Sequence, residues 1–313
     1  MQQFTIYTGH QNYRQLDFTI DQDAHHHRLD VTLHDVDYPK GRNINDIFAD
    51  HVAARQTKYV EVLYSGGVDS ELVLHTCLVN NTPVRAITMR LLADNTAINT
   101  HDLYYAERYC RSTGIEHKIV DLHVDKFFGN GDHLPYLEPY LNKESHVSTH
   151  LWLIEQCTGF PVIGGSYSWP WTGHGPTGVI SPIKNTYCQY DRYMRDHNIA
   201  GIGNMLDHSL ESNCLFIKIH LDLIATGDPK LFDQRGVCKR TLKQYLYSQL
   251  GHTKLEPRIG SYGWEEHHRT VFDKDSINRG LIKRFGTWDH SITWGHKMAK
   301  ALGSAPGTWN RFS

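Results

Sequence analysis

Residues 59–80 read YVEVLYSGGVDSELVLHTCLVN, and no other stretch limits the fold as tightly. Val60, Val62 and Leu63 form a short apolar run suited to a buried parallel strand, while Leu72, Val73, Cys77 and Leu78 recur at helical spacing. The join between them, Ser65 to Ser70, is therefore a strand-to-helix turn. Gly66 and Gly67 permit positive φ and put no side chain between the backbone amides and a ligand, and Asp69 or Ser70 is placed to cap the new helix. Backbone N–H groups at the start of a helix, together with the positive end of its dipole, make an anion site, and phosphate is the anion expected.

The loop is not a Walker A motif, because the G-x-x-x-x-G-K-[ST] spacing is absent and no lysine follows the second glycine. It resembles the PP-loop of the ATP pyrophosphatases, S-G-G-x-D-S, at every fixed position: Ser65, Gly66, Gly67, Asp69 and Ser70, with Val68 at the variable one. The resemblance implies a Rossmann-like α/β fold, with ATP cleaved between its α- and β-phosphates. It also implies Mg²⁺ with Asp69 as its ligand. The bland alternative is a tight turn and nothing more.

The chain on either side supports a doubly wound parallel sheet. Pro83–Leu91 is predicted as a second strand, Thr100–Ser112 as a helix stopped near Gly114, Glu116–Leu122 as a third strand, His146–Cys157 as a helix, and Phe160–Ile163 as a fourth strand ending at Gly164–Gly165. Ligands in such sheets sit beyond the carboxyl ends of the strands. Leu63, Met89, Arg90 and Asp121 are therefore expected near the nucleotide, with Leu63 and Met89 either lining an adenine pocket or belonging to the core. Gly164 and Gly165 are expected beside the first glycine loop.

Three further regions complete the expectation. Residues 1–40 alternate as short strands (Phe4–Tyr7, Leu16–Ile20, Leu29–Leu33) and form a small antiparallel addition. A helix from Asn43 to about Arg55 leads into the first strand. Residues 41–185 are the nucleotide-binding core, and 186–313 are a mainly helical region completing the site, with Asp191–Asp196 and Gly203–Glu211 read as helical or apolar and Lys239–Leu250 as an amphipathic helix capped by Gly251. The segment 126–143 is read as a loop able to order over a substrate, and 164–178 as either a packed surface loop or a substrate-contacting one.

After residue 40 the layout resembles the synthetase domain of asparagine and β-lactam synthetases. The lead-in helix, the glycine turn at Gly164–Gly165, and the Lys239-x-x-Leu242 helix followed by Pro257–Arg258 carry that resemblance. It implies an AMP-forming ligase that adenylates a small-molecule carboxylate or amide-forming substrate, with ammonia or a separate glutaminase as nitrogen donor; Asp69 is the expected catalytic acid, and Lys184, Lys239, Arg240 or Arg258, with Lys239 or Arg258 preferred, are the basic residues that could stand in for the family's lysine. Three departures accompany it. Residue 2 is Gln2 where a glutaminase would carry its cysteine, no acid follows Gly164–Gly165, and Arg258-Ile259-Gly260-Ser261 lacks the expected lysine. Two other readings remain open: a PP-loop enzyme that thiolates or otherwise modifies a nucleobase or tRNA, with Cys157 or Cys188 as thiol, and an ATP-binding protein without catalysis.

Composition narrows the classes. Hydrophobic residues at 40% and charged residues at 21% suit a packed globular chain rather than a disordered one. A net charge of −2 supplies no broad basic surface for nucleic acid, and the absence of a long apolar run argues against a membrane span and for a cytoplasmic protein. The 6 cysteines contain no C-x-x-C pair, and the 22 histidines, among them His25–His27, form no H-E-x-x-H pattern, so no transition-metal site is expected.

Overall fold

The computed structural model describes residues 5–6, 31–32, 44–53, 59–140, 145–164, 171–172, 179–180, 188–205, 232–233, 236–237, 247–248, 251–252 and 274–285. Its centre is a five-stranded, mostly parallel sheet. β3 (Val60–Leu63) lies in the middle, paired in parallel with β4 (Val84–Ala93) on one side and β7 (Phe160–Ile163) on the other. β6 (Glu116–His123) runs parallel to β4 on its outer side. All residues of β3 and β7 are buried, whereas β6 alternates with exposed positions. That contrast follows from place in the sheet: central parallel strands are covered on both faces and read as continuous apolar runs.

The fold class expected from the sequence is thus present, including its antiparallel addition, in which β1 (Thr5–Ile6) pairs with β2 (Val31–Thr32). The Leu16–Ile20 strand and most of the Lys239–Leu250 helix lie outside the described residues. Helix α1 (Ile44–Ala53) packs on α2 (Val68–Val79), joined by the Thr76 hydroxyl donating to Asn45 at 3.1 Å. Helix α3 (Thr100–Thr113) buries Leu103, Ala106 and Cys110 and ends at Gly114, whose φ of 75° is the left-handed cap. No helix among the described residues is long and apolar enough to cross a membrane.

Leu63, Ile87 and Ile163 share one face of the sheet and pack against α6 (Ser145–Glu155), α7 (Cys188–Asp196) and α8 (Lys274–Phe285) through Leu151, Ile154, Tyr193, Met194 and Leu281. Helices α2 and α3 contact β3 and β4, and the alternation of strand side chains directs Val62 and Ala86 to the face opposite Leu63.

Several elements depart from expectation. Residues 126–143 are not simply a loop: α4 (Val124–Gly129) and α5 (Leu134–Leu137) form there, followed by a 3₁₀ turn at Glu138–Tyr140, because Phe127, Phe128 and Leu137 are apolar anchors that become buried. Between β4 and α3, Asp94 and Asn95 take φ of 47° and 60° and turn the chain into β5 (Thr96–Ala97), antiparallel to β4. Two successive positive φ values make this a type I′ turn, for which Asp and Asn are suited. Of the segment Gly203–Glu211, read as helical or apolar, only 203–205 are among the described residues, and they lie beside β7 with Met205 buried. There Ile202 bridges Val162, and the amides of Ile202 and Met205 donate to Pro161 and Ile163, each at 2.9 Å.

One half-buried histidine gives the fold a pH dependence. His150 on α6 has its Nδ1 2.7 Å from the Tyr190 hydroxyl on α7, and burial, with a smaller contribution from His146, pushes its imidazole down to about 3. The folded state therefore holds His150 neutral over a range in which the unfolded chain binds a proton. Its contribution is complete above the ordinary histidine value of about 6.5 and is lost progressively as pH falls toward 3, by up to about 1.4 kcal/mol per pH unit. Denaturant titrations between pH 7 and 4 should show this loss, and His150→Gln should flatten the profile.

Candidate functional site

The loop begins where β3 ends. The Tyr64 amide donates to Ile87 O at 2.8 Å and the Thr88 hydroxyl donates to Tyr64 O at 2.7 Å, which ties the chain to β4 just before the turn. Gly66 takes φ of 72°, and a Cβ there would collide with the Asp102 carbonyl at the start of α3. Glycine is thus required twice over, by conformation and by close approach. Gly67 is the N-cap of α2 with φ of −75°; it accepts from the Glu71 amide at 3.0 Å and from the Ser70 hydroxyl at 3.2 Å.

Neither Asp69 nor Ser70 caps α2, contrary to expectation, and among the described residues no side chain makes a cap hydrogen bond to its N-terminus. The physical reason is placement: both lie inside the first turn rather than before it, because the helix starts at Val68. Ser65 is exposed, and Gly67, Val68 and Asp69 are partly so, while Gly66 and Ser70 are buried.

Gly164 sits directly against this turn. A Cβ on it would come within 2.7 Å of the Ser70 Cα and 2.9 Å of the Ser70 nitrogen. The carboxyl end of β7 and the first turn of α2 are therefore in backbone contact, as the glycine at 164 suggested, while Gly165 lies outside the described residues. Gly164→Ala should push the two apart by a fraction of an ångström and lower any activity seated on the loop by about ten- to a hundredfold, with a smaller loss of stability. Steady-state rates beside a thermal melt separate the two effects.

The remaining expected site residues fall into separate groups. Leu63 is only 8% exposed and belongs to the core, and Met89 is half-buried against it. Arg90 and Asp121, adjacent across β4 and β6, form a bidentate pair at 2.6 and 2.8 Å on the exposed part of the sheet, and that pairing holds the Asp121 carboxyl below the usual carboxylate range. Lys239 and Arg258 lie outside the described residues, as does the side chain of Cys188. Burial pushes the thiol of Cys157 up to about 12, so it carries almost no thiolate near neutrality.

Sequence reasoning missed the groups that hold the loop from behind. The buried Tyr247 hydroxyl donates to Asp69 Oδ1. Glu71, itself buried, accepts from the Tyr64 hydroxyl at 2.8 Å and faces His252 Nε2 at 3.0 Å. His252 stacks on His75 with ring centroids 4.6 Å apart, and Tyr109 meets both Tyr64 and His252 edge-on. The one legible signal was an acid at 71 directly before the apolar run Leu72–Leu74, where burial demands partners.

Chemically, the turn offers glycine backbone at the start of a helix, hydroxyls at Ser65 and Ser70, and one carboxylate in the first helical turn. Those parts fit a phosphate chain. Among the described residues no group of three or more His, Cys, Asp and Glu side chains could hold a metal by itself. That is compatible with Mg²⁺, which is commonly held by one or two carboxylates together with substrate phosphates.

No protein-family model matches the chain. The 7-cyano-7-deazaguanine synthase of Alteromonas mediterranea is 27% identical over 154 residues, which is 46% of this chain and 67% of that protein. Among solved structures, the NH3-dependent NAD synthetase of Campylobacter jejuni is 19% identical, covering 69% of this chain and 96% of that one with a TM-score of 0.31. A U34-tRNA thiolase from Methanococcus maripaludis is 12% identical, covering 78% and 80% with a TM-score of 0.27.

Proposed function

We propose that this protein is an ATP-using enzyme of the PP-loop pyrophosphatase type, which transfers AMP to an oxygen of a small substrate and releases pyrophosphate. The observation that carries the reading is the Ser65–Ser70 turn. It holds S-G-G-V-D-S between a central parallel strand and an uncapped helix start, with Gly164 pressed against it.

On this reading the loop residues each have a task. Negative charge grows on the departing pyrophosphate, and donors fixed in advance stabilise it without reorganisation. The amides at the start of α2 and the Ser65 hydroxyl are those donors, while the Ser70 hydroxyl, which donates to Gly67 O in the ligand-free turn, would have to rotate to join them. Asp69 is the residue that would hold Mg²⁺, whose contribution when bound is to neutralise phosphate charge. Gly66 and Gly67 let the phosphates reach the backbone. Lys239 and Arg258 are the basic residues proposed to complete the site.

The acceptor favoured is a nucleobase-like ring rather than an amino acid. The similarity to a 7-cyano-7-deazaguanine synthase supports this branch over the asparagine synthetase-like one. A nitrile is reached from a ring carboxylate by bringing in ammonia and removing both oxygens, and each oxygen leaves readily only after activation. AMP transfer supplies such activation, so one loop could serve a carboxylate and then an amide. The high value of the Cys157 thiol weighs against sulfur transfer through that residue.

The test is incubation with Mg²⁺ and α-³²P-labelled ATP, with deazapurine carboxylates and amides in one panel and amino acids in another, both with ammonium. AMP that appears only with a ring acceptor supports the proposal; AMP only with an amino acid returns the acceptor to the asparagine synthetase-like branch. ADP as the labelled product sinks the pyrophosphatase mechanism.

A further inference from the structure

We infer that the helix end around Tyr247 and His252 is a clasp that positions Asp69 for the reaction, so that Tyr247 is a positioning residue of the loop although it lies 178 residues away in sequence. The assignment of Asp69 rests on the function proposed above; the clasp itself rests on geometry. Gly251 takes φ of 75°, its amide donates to Ser248 O at 3.0 Å, and the His252 amide donates to Tyr247 O at 2.8 Å. Those two bonds are the Schellman ending of a helix, and they hold the Tyr247 and His252 side chains at a set separation.

Both side chains land on the first turn of α2. Tyr247 donates to Asp69, and His252 meets Glu71, which lies two residues further on and also receives the Tyr64 hydroxyl from the other end of the loop. Tyr64 and Glu71 thus close the loop at its base, and the clasp fixes its acidic side from above. His75, one turn beyond Glu71, extends the contact by stacking on His252. A lone carboxylate on a half-exposed turn would sample several rotamers. A buried hydroxyl on one of its oxygens leaves one orientation, which is what pre-organised catalysis requires.

Two variants separate positioning from simple stability. Tyr247→Phe removes only the hydroxyl, and Tyr193→Phe removes a comparable buried hydroxyl that donates to Glu155 on other elements. A bond to a charged acceptor is worth about a tenfold change or more in a local opening equilibrium. In the ligand-free full chain, amide hydrogen exchange over 65–74 should therefore rise at least about tenfold in Tyr247→Phe and stay near wild type in Tyr193→Phe. With nucleotide, Tyr247→Phe should lower kcat and raise the Mg²⁺ concentration needed for half-maximal rate while leaving KM for ATP nearly unchanged.

Gly251→Ala gives a second route. A Cβ there meets nothing within 4 Å, so its effect is confined to the turn that orients the clasp, and exchange over 65–74 should rise in the same direction by a smaller factor. Unchanged loop exchange in both Tyr247→Phe and Gly251→Ala overturns the clasp. A wild-type protein that cleaves no ATP with any acceptor, yet shows the expected exchange pattern, retains the clasp and loses the proposed function instead.

Discussion

Replacing Asp69 by asparagine should reduce acceptor-dependent release of pyrophosphate by about a thousandfold, with the protein still folded. The magnitude is that of removing one group aimed at charge developing in a transition state. The residue sits in the first turn of α2, between the glycines of the loop and the buried face of the helix, and its carboxylate receives the Tyr247 hydroxyl. Asparagine keeps the size and one acceptor oxygen, so the bond to Tyr247 is weakened rather than lost, at a cost of about 1 kcal/mol. What disappears is the negative charge that would hold Mg²⁺ against the phosphates. Single-turnover measurements with labelled ATP, alongside a chemical melt, check both halves of the expectation. Full activity in a folded Asp69→Asn protein would remove Asp69 from the chemistry.

The second large effect is on stability. Glu61 on β3 is fully buried, and its Oε1 receives Arg85 Nε at 3.0 Å from the neighbouring position on β4. Its Oε2 receives the amides of Thr158 and Gly159 in the turn between α6 and β7. Arg85 also reaches the Tyr59 hydroxyl at 2.8 Å and Glu116 on β6 at 3.1 Å, so one guanidinium joins three strands at the end of the sheet opposite the loop. Arg85→Met leaves the carboxylate buried with only backbone donors, and breaking such a pair costs about 3–5 kcal/mol, a large part of a typical folding free energy. Glu61→Gln combined with Arg85→Met removes the charge as well and should recover part of that loss. Urea titrations of both singles and the double variant form the cycle that measures the coupling; additive losses would show that the two side chains stabilise the sheet independently.

Much of the core was legible because its signals are local. The Val60–Leu63 run, the glycines at 66 and 67, the helical repeat after Val68, and the glycines at 114 and 164 each act within a few residues or require a missing Cβ. The structure places each of them in the expected element, with positive φ at Gly66 and Gly114 but φ of −75° at Gly67. Residues 126–143 misled because glycines and prolines punctuate helices as short as α4 and α5, while the burial of Phe127, Phe128 and Leu137 depends on neighbours elsewhere. The Asp94–Asn95 turn was readable from residue type, yet β5 is only two residues long and carries no period of its own.

By itself, then, the sequence determined an α/β sheet with a glycine loop at the carboxyl end of its central strand. Short-range sterics and the two side-chain periodicities are sufficient for that. The tertiary structure alone decided what holds the loop in shape, Tyr247 and His252 on Asp69 and Glu71, and what secures the opposite end of the sheet, Arg85 beside Glu61. Tyrosine, histidine and arginine carry no positional signal until packing removes water around an acid. Only then does the cost of an unpaired buried carboxylate select partners from distant parts of the chain.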